Sequence, residues 1–189
     1  MSELLAAAGI GCERDTTRGW DHGVFVPLML LFPAADVPLV QLSVLRSQDA
    51  ASHLAYGAAL APLRDEGVLL LGSGVSFHNM RLFFGDAAAG RRHSASWDAW
   101  LRHAMTAPMD AEARTELLSK WADRAPAARE AHPPRAAEHL MPALVVAGAG
   151  MAAGGTAMVV GDSGGECSGT EEQRGGLLDG FAFSQFEWR

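Results

Sequence analysis

Three histidine motifs carry the chemistry this chain could perform: Trp20-Asp21-His22-Gly23, Gly74-Val75-Ser76-Phe77-His78-Asn79-Met80-Arg81 and Glu138-His139-Leu140-Met141-Pro142. Each histidine stands at the edge of an apolar segment, where the core can anchor the side chain while its ring faces a cleft. Imidazole ligates metals and exchanges protons near neutral pH, so a set of histidines held this way points to a metal or acid–base site. Three is one or two short of a well-defended redox metal centre.

Each motif also has a plainer reading. His22 falls in the first turn of an expected helix, whose positive end disfavours imidazolium, so it reads as a neutral hydrogen-bonding residue or as a capping and packing residue. His78 follows Gly72-Ser73-Gly74, a turn that lets backbone approach a ligand closely. It reads either as functional or as a loop histidine beside a β-turn, and Asn79 could orient a substrate or a ring nitrogen. His132 and His139 are seven residues apart, two helical turns if helical, but Pro133 and Pro134 interrupt that register. Glu138, adjacent to His139, could support it as an outer partner. His53 reads as a surface or core-edge residue, and His93 and His103 as solvent-side residues. No HExxH or Cys–His nucleophile pattern is present, neither Ser73 nor Ser76 sits in a recognisable nucleophile elbow, and no GxGxxG or P-loop lysine follows the glycine turn.

The elements that must position these residues follow from periodicity. Residues 4–10 read as the tail of a helix ending at Gly9 or Gly11. Asp21 is an expected N-cap for a helix over 22–32, stopped by Pro33. Residues 37–45 (VPLVQLSVL) read as an interior strand. Asp49 caps a helix carrying Leu54, Ala58, Leu60 and Leu63 and ending at Gly67, and residues 68–71 read as a second buried strand. This β-α-β unit predicts parallel strands with a right-handed crossover, and ligands bind off the carboxyl ends of such strands, where His78 falls. Helices are expected over 94–105, with Trp97, Trp100, Leu101 and Met105 on its apolar face, over 111–122 with Asp110 as cap, and over 142–150. Residues 125–137 read as a loop or lid, 157–160 as a short strand, and 162–176 as a flexible loop. Phe181, Phe183 and Phe186 mark a final strand or a docked tail.

Composition bounds the remainder. The chain has 189 residues, about half of them apolar, which predicts one domain with ample core. A net charge of −7 argues against nucleic acid and anionic membranes as partners. Cys12 and Cys167 have no ligand spacing and form no disulfide framework, so a cytoplasmic location is the default. No signal peptide or membrane-spanning run is expected.

Taken together, RGWDHGVFVPLMLLFPAADVPLVQLSV, LLLGSGVSFHNMR and REAHPPRAAEHLMPALVVAGA closely resemble the class III extradiol ring-cleavage dioxygenases, in particular the DOPA 4,5-dioxygenase-like branch of the LigB superfamily. The likeness covers residues 15–150, and the three motifs occur in the expected order with the expected gaps. It implies an α/β domain with a central mixed or parallel sheet flanked by helices. It also implies a non-haem Fe(II), often replaced by zinc, that cleaves a catechol beside its hydroxyl pair with O2. On this resemblance His139 is a metal ligand, and His78 a further ligand or the acid–base residue. His22 lines the substrate and oxygen pocket, Asn79 and His132 lie at the substrate, and His132 matches the family's AHP segment.

The pattern departs from the family in one respect. Two further metal histidines, in an HG-x-P turn and a SAHW-like strand end, have no counterpart here. The chain is therefore expected to represent an N-terminally truncated catalytic domain lacking the first strands of the sheet. It would then be an active dioxygenase, a non-catalytic remnant, or a subunit completed by a second copy or a partner chain. A hydrolase is a distant alternative.

Overall fold

The computed structural model describes residues 1–162 and 180–189. Its helices are α1 (Ser2–Ala7), α2 (His22–Leu31), α3 (Ala50–Leu60), α4 (Met80–Phe84), α5 (Ala87–Thr106), α6 (Ala111–Ser119), α7 (Trp121–Arg124), α8 (Ala128–Ala131) and α9 (Met141–Ala152), with a 3-10 helix at Ala61–Glu66 extending α3. Local chemistry sets the starts. Asp49, Asp86 and Asp110 each accept a hydrogen bond from a backbone N–H three residues on, and Asn79 accepts from the amides of Arg81 and Leu82. Asp86 is the reason α5 begins well before the expected residue 94. α5 buries Gly90, Trp97, Leu101, Ala104 and Met105, an apolar stripe at helical spacing that also takes in Ser94 and Asp98. Its C-terminal end is closed by the Arg114 guanidinium, which donates to the carbonyls of Ala104, Met105 and Ala107.

The core lies between α3, α5 and α9. Trp97, Phe77, Leu118, Leu140, Met141 and Leu144 are fully enclosed there, and each such side chain contributes on the order of 2 kcal/mol through burial. α3 and α9 touch backbone to backbone. A Cβ at Gly57 would collide with the Val145 carbonyl, and one at Gly148 with the Leu54 carbonyl. A smaller cluster of Leu5, Tyr56, Leu60 and Leu63 ties α1 to α3.

Among the described residues the sheet consists of β1 (Ala157–Asp162) and β2 (Ser184–Trp188), antiparallel from Ala157↔Trp188 to Asp162↔Ser184, with a register shift between Val159 and Gly161. The two strands expected at 37–45 and 68–71 carry no ladder. α3 forms between them as predicted, but a strand exists only through a hydrogen-bonded neighbour, and these two segments do not pair with each other. Two of their amides go elsewhere: Leu45 N–H to His53, Val68 N–H to the Leu63 carbonyl. Val37, Leu39, Val40, Val68, Leu69 and Leu71 face outward instead of forming the expected interior.

Other expectations change in detail. α2 forms as predicted, but Asp21 does not cap it; its carboxylate accepts from Arg18 and Gln41. α2 is almost wholly apolar yet has no buried residue, leaving Phe25, Met29 and Leu30 exposed. The helix expected over 111–122 breaks at Lys120 into α6 and α7. The segment at 125–137 is packed rather than lid-like, with Ala128, Ala131, His132 and Ala137 buried. His53 is fully buried, not at a surface or core edge: Leu45 N–H donates to its Nε2 and its Nδ1–H donates to the Asp49 carbonyl. Asp162 closes β1, and the rest of the loop expected at 162–176 lies outside the described residues. Among the described residues, no helix is long and apolar enough to cross a membrane.

Candidate metal centre

The site is assembled from two chain segments anchored by neighbouring core residues. On the first, Phe77 is fully buried against Phe83 and Phe181. That turns the next side chain, His78, toward the surface, where it is half-buried. On the second, Leu140 and Met141 are fully buried at the start of α9. They hold Glu138 and His139 just outside the core.

Glycines let the two segments meet. A Cβ on Gly74 would collide with the His139 carbonyl, and one on Gly72 would lie 2.6 Å from the Pro142 carbonyl oxygen. The Gly72-Ser73-Gly74 turn therefore lies directly on the start of α9. As a result the His78 and His139 rings stack, with centroids 3.8 Å apart and planes inclined by 27°. Glu138 Oε1 lies 4.0 Å from His139 Nε2, and Gln48 Nε2 donates to Glu138 Oε2 at 3.3 Å. One donor atom from each of His78, Glu138 and His139 falls within 4.8 Å of the others.

Burial holds the His139 pKa below the usual histidine range. The adjacent His78 and the nearby His22 push it the same way, against the opposing charge of Glu138. A neutral imidazole offers the lone pair that a metal requires. Two imidazoles and a carboxylate are nitrogen and oxygen donors suited to Fe(II) or zinc, so the residues present fit such a group.

The other predicted residues fall around this cluster. His22 is exposed at the start of α2, and its charge reaches His139. A Cβ on the next residue, Gly23, would lie 3.6 Å from Ser73 Oγ, so the first motif abuts the glycine turn. His132 is 2% exposed; its Nε2–H donates to the Ser76 carbonyl at 2.6 Å, and burial lowers its pKa to about 4. The Asn79 side chain is committed to backbone at both ends, accepting from Arg81 and Leu82 and donating to the Glu130 carbonyl at 2.8 Å. Sequence reasoning treated Glu138 only as an outer partner and did not single out Gln48. The adjacency of Glu138 to His139 was the available signal for the first; Gln48 carried none.

The chain belongs to the LigB family, the catalytic LigB subunit of aromatic ring-opening dioxygenase, whose sequence pattern matches residues 1–170. It is 43% identical over 146 residues to the dioxygenase tasH of Hapsidospora irregularis, covering 71% of this chain and 43% of that protein. It is 41% identical over 152 residues to the 4,5-DOPA dioxygenase extradiol of Beta vulgaris, covering 79% of this chain and 53% of that one. A solved structure of the uncharacterized protein JW3007 from Escherichia coli K12 superposes with a TM-score of 0.64 at 26% identity, over 97% of this chain and 68% of that one. The chain thus spans about half the length of the curated relatives it matches. Family and structural neighbour support the α/β class expected from the sequence.

Proposed function

We propose that this chain carries the metal-binding part of an extradiol ring-cleaving site, acting on a catechol-type aromatic with O2 and a non-haem Fe(II), with zinc able to occupy the same donors. The observation that carries this reading is the His78–His139 stack with Glu138 beside it, formed from motifs that match ring-opening dioxygenases. When bound, the metal supplies Lewis acidity and the one-electron chemistry that O2 requires. His139 and Glu138 hold it, together with a ring nitrogen of His78. On substrate entry, His78 serves as the acid–base residue only once its ring nitrogen is free of the metal; that nitrogen then takes a proton from a catechol hydroxyl and holds it for return to the opening product. His22, at the exposed edge, lines the approach of substrate and O2. The central sheet implied by the family, and a cytoplasmic setting, belong to the same proposal.

A second reading is favoured by the bare apolar face of α2. In it, the chain is a metal-binding subunit whose site is completed by a partner chain or a second copy.

Oxygen uptake tests the proposal. The chain is loaded anaerobically with Fe(II) and offered L-DOPA and simple catechols, alongside His139→Ala and His78→Ala. Uptake with a coloured ring-opened product, lost in both variants, is the expected result. No uptake by any form, with metal bound, would remove the catalytic reading and leave the subunit reading.

A further inference from the structure

We infer that His132, with Trp97 and Asn79, is a positioning residue that holds His78 over His139. The inference deepens the proposed site and rests on His78 belonging to it.

The geometry is a seam between two antiparallel stretches. The Ser76 carbonyl accepts from His132 Nε2, the His78 backbone N–H donates to the Ala131 carbonyl at 3.0 Å, and the Asn79 side-chain Nδ2 donates to the Glu130 carbonyl. Ser76, His78 and Asn79 are thus tied in turn to His132, Ala131 and Glu130. Trp97 Nε1–H donates to the same Ser76 carbonyl at 2.7 Å, so both lone pairs of that oxygen are occupied by side-chain donors from the core. A carbonyl fixed by two donors cannot rotate, and Phe77 between Ser76 and His78 is locked in the core. His78 is left with little backbone freedom.

His132 itself is almost fully buried. The Trp97 and Trp121 rings meet it edge-on, at 5.5 Å and 5.8 Å between centroids. A carbonyl can only accept, so it fixes His132 as the Nε2–H tautomer. Neutrality at physiological pH, which its burial enforces, leaves one N–H, and that one is spent on Ser76. The histidine of the His132-Pro133-Pro134 segment therefore acts on the site through the backbone that carries His78, not by contact with a ligand.

The test reads ring geometry in the metal-free chain. Histidine-resolved NMR of the unsubstituted protein is expected to show His132 as the Nε2–H tautomer and proton contacts between the His78 and His139 rings. His132→Leu, which cannot donate, is expected to lose at least half the intensity of those contacts and to weaken Co(II) binding by about tenfold, in the range seen when partners of metal ligands are removed. His132→Gln, whose amide can reach the same carbonyl, is expected to restore both. Unchanged ring contacts in a folded His132→Leu protein would overturn the inference. If that variant does not fold, Asn79→Asp decides: it keeps the α4 cap but cannot donate to Glu130, and unchanged contacts there would overturn the inference equally. Co(II) binding by the unsubstituted chain that His139→Ala leaves unaltered would instead refute the metal site, while the ring contacts still judge the seam.

Discussion

The Gly74 backbone rests on the His139 carbonyl with no room for a β-carbon between them. This contact, more than any hydrogen bond between the two segments, sets the distance at which His78 and His139 stack. A methyl group there must push the start of α9 away from the glycine turn. Gly74→Ala is expected to weaken metal binding by about tenfold or more, in line with loss of ligand support. Gly148→Ala, crowding α3 against α9, is expected to cost about 1–3 kcal/mol of stability with a smaller effect on the metal. Metal titration beside urea unfolding separates the two.

His132 gives a pH signature. Its folded pKa, about 4, lies below the ordinary 6.5, so the unfolded chain binds a proton more readily between those values. Its contribution to stability is complete above about pH 6.5 and erodes as pH falls toward 4, by roughly 3 kcal/mol at most. His139, also depressed, adds in the same direction. Urea midpoints measured from pH 7.5 to 4.5 should fall steeply, and less steeply in His132→Gln. Parallel slopes would contradict the burial of a neutral His132.

His53 connects the expected strand segment at 37–45 to α3, with both ring nitrogens satisfied and no exposure. His53→Leu leaves the Leu45 amide and the Asp49 carbonyl without these partners. A loss of about 1–3 kcal/mol is expected, read as a lower denaturation midpoint, with the His78–His139 stack unaltered.

Much of the frame was legible in the sequence because it is locally encoded. Asp49 and Asp110 announce their helices through side-chain caps, and Trp97, Leu101 and Met105 announce the buried face of α5 through spacing alone. The edge-of-core positions of His78 and His139 were legible in the same way, each adjacent to strongly apolar anchors. The strands expected at 37–45 and 68–71 failed for a non-local reason: apolar, β-branched composition states that a segment is to be covered but not what covers it. His132 and Asn79 were singled out as substrate-side candidates, and their seam with Ser76 and Glu130 depends on side chains that meet only in three dimensions. Glu138 was visible as a neighbour of His139, but its approach to His78 follows from the turn at Gly74.

α2 leaves Phe25, Met29, Leu30 and Leu31 exposed, and Val40, Leu69 and Leu71 are exposed as well. Surfaces of this kind in water drive association. The 189-residue chain is expected to self-associate and to bind an environment-sensitive dye, and Leu30→Lys with Leu69→Lys to reduce both. A monomer by light scattering with no dye binding would contradict the exposure of this surface.

The central claim is that His78, Glu138 and His139 form one metal centre. An anaerobic equilibrium titration with Fe(II), competed with zinc, tests it most directly on the unsubstituted chain and on His78→Ala, Glu138→Gln and His139→Ala. The account predicts one site per chain, weakened by about tenfold or more in each variant, as expected when one of a small set of ligands is lost. Equal binding by all four proteins would show that the stacked histidines and their neighbouring carboxylate do not hold the metal.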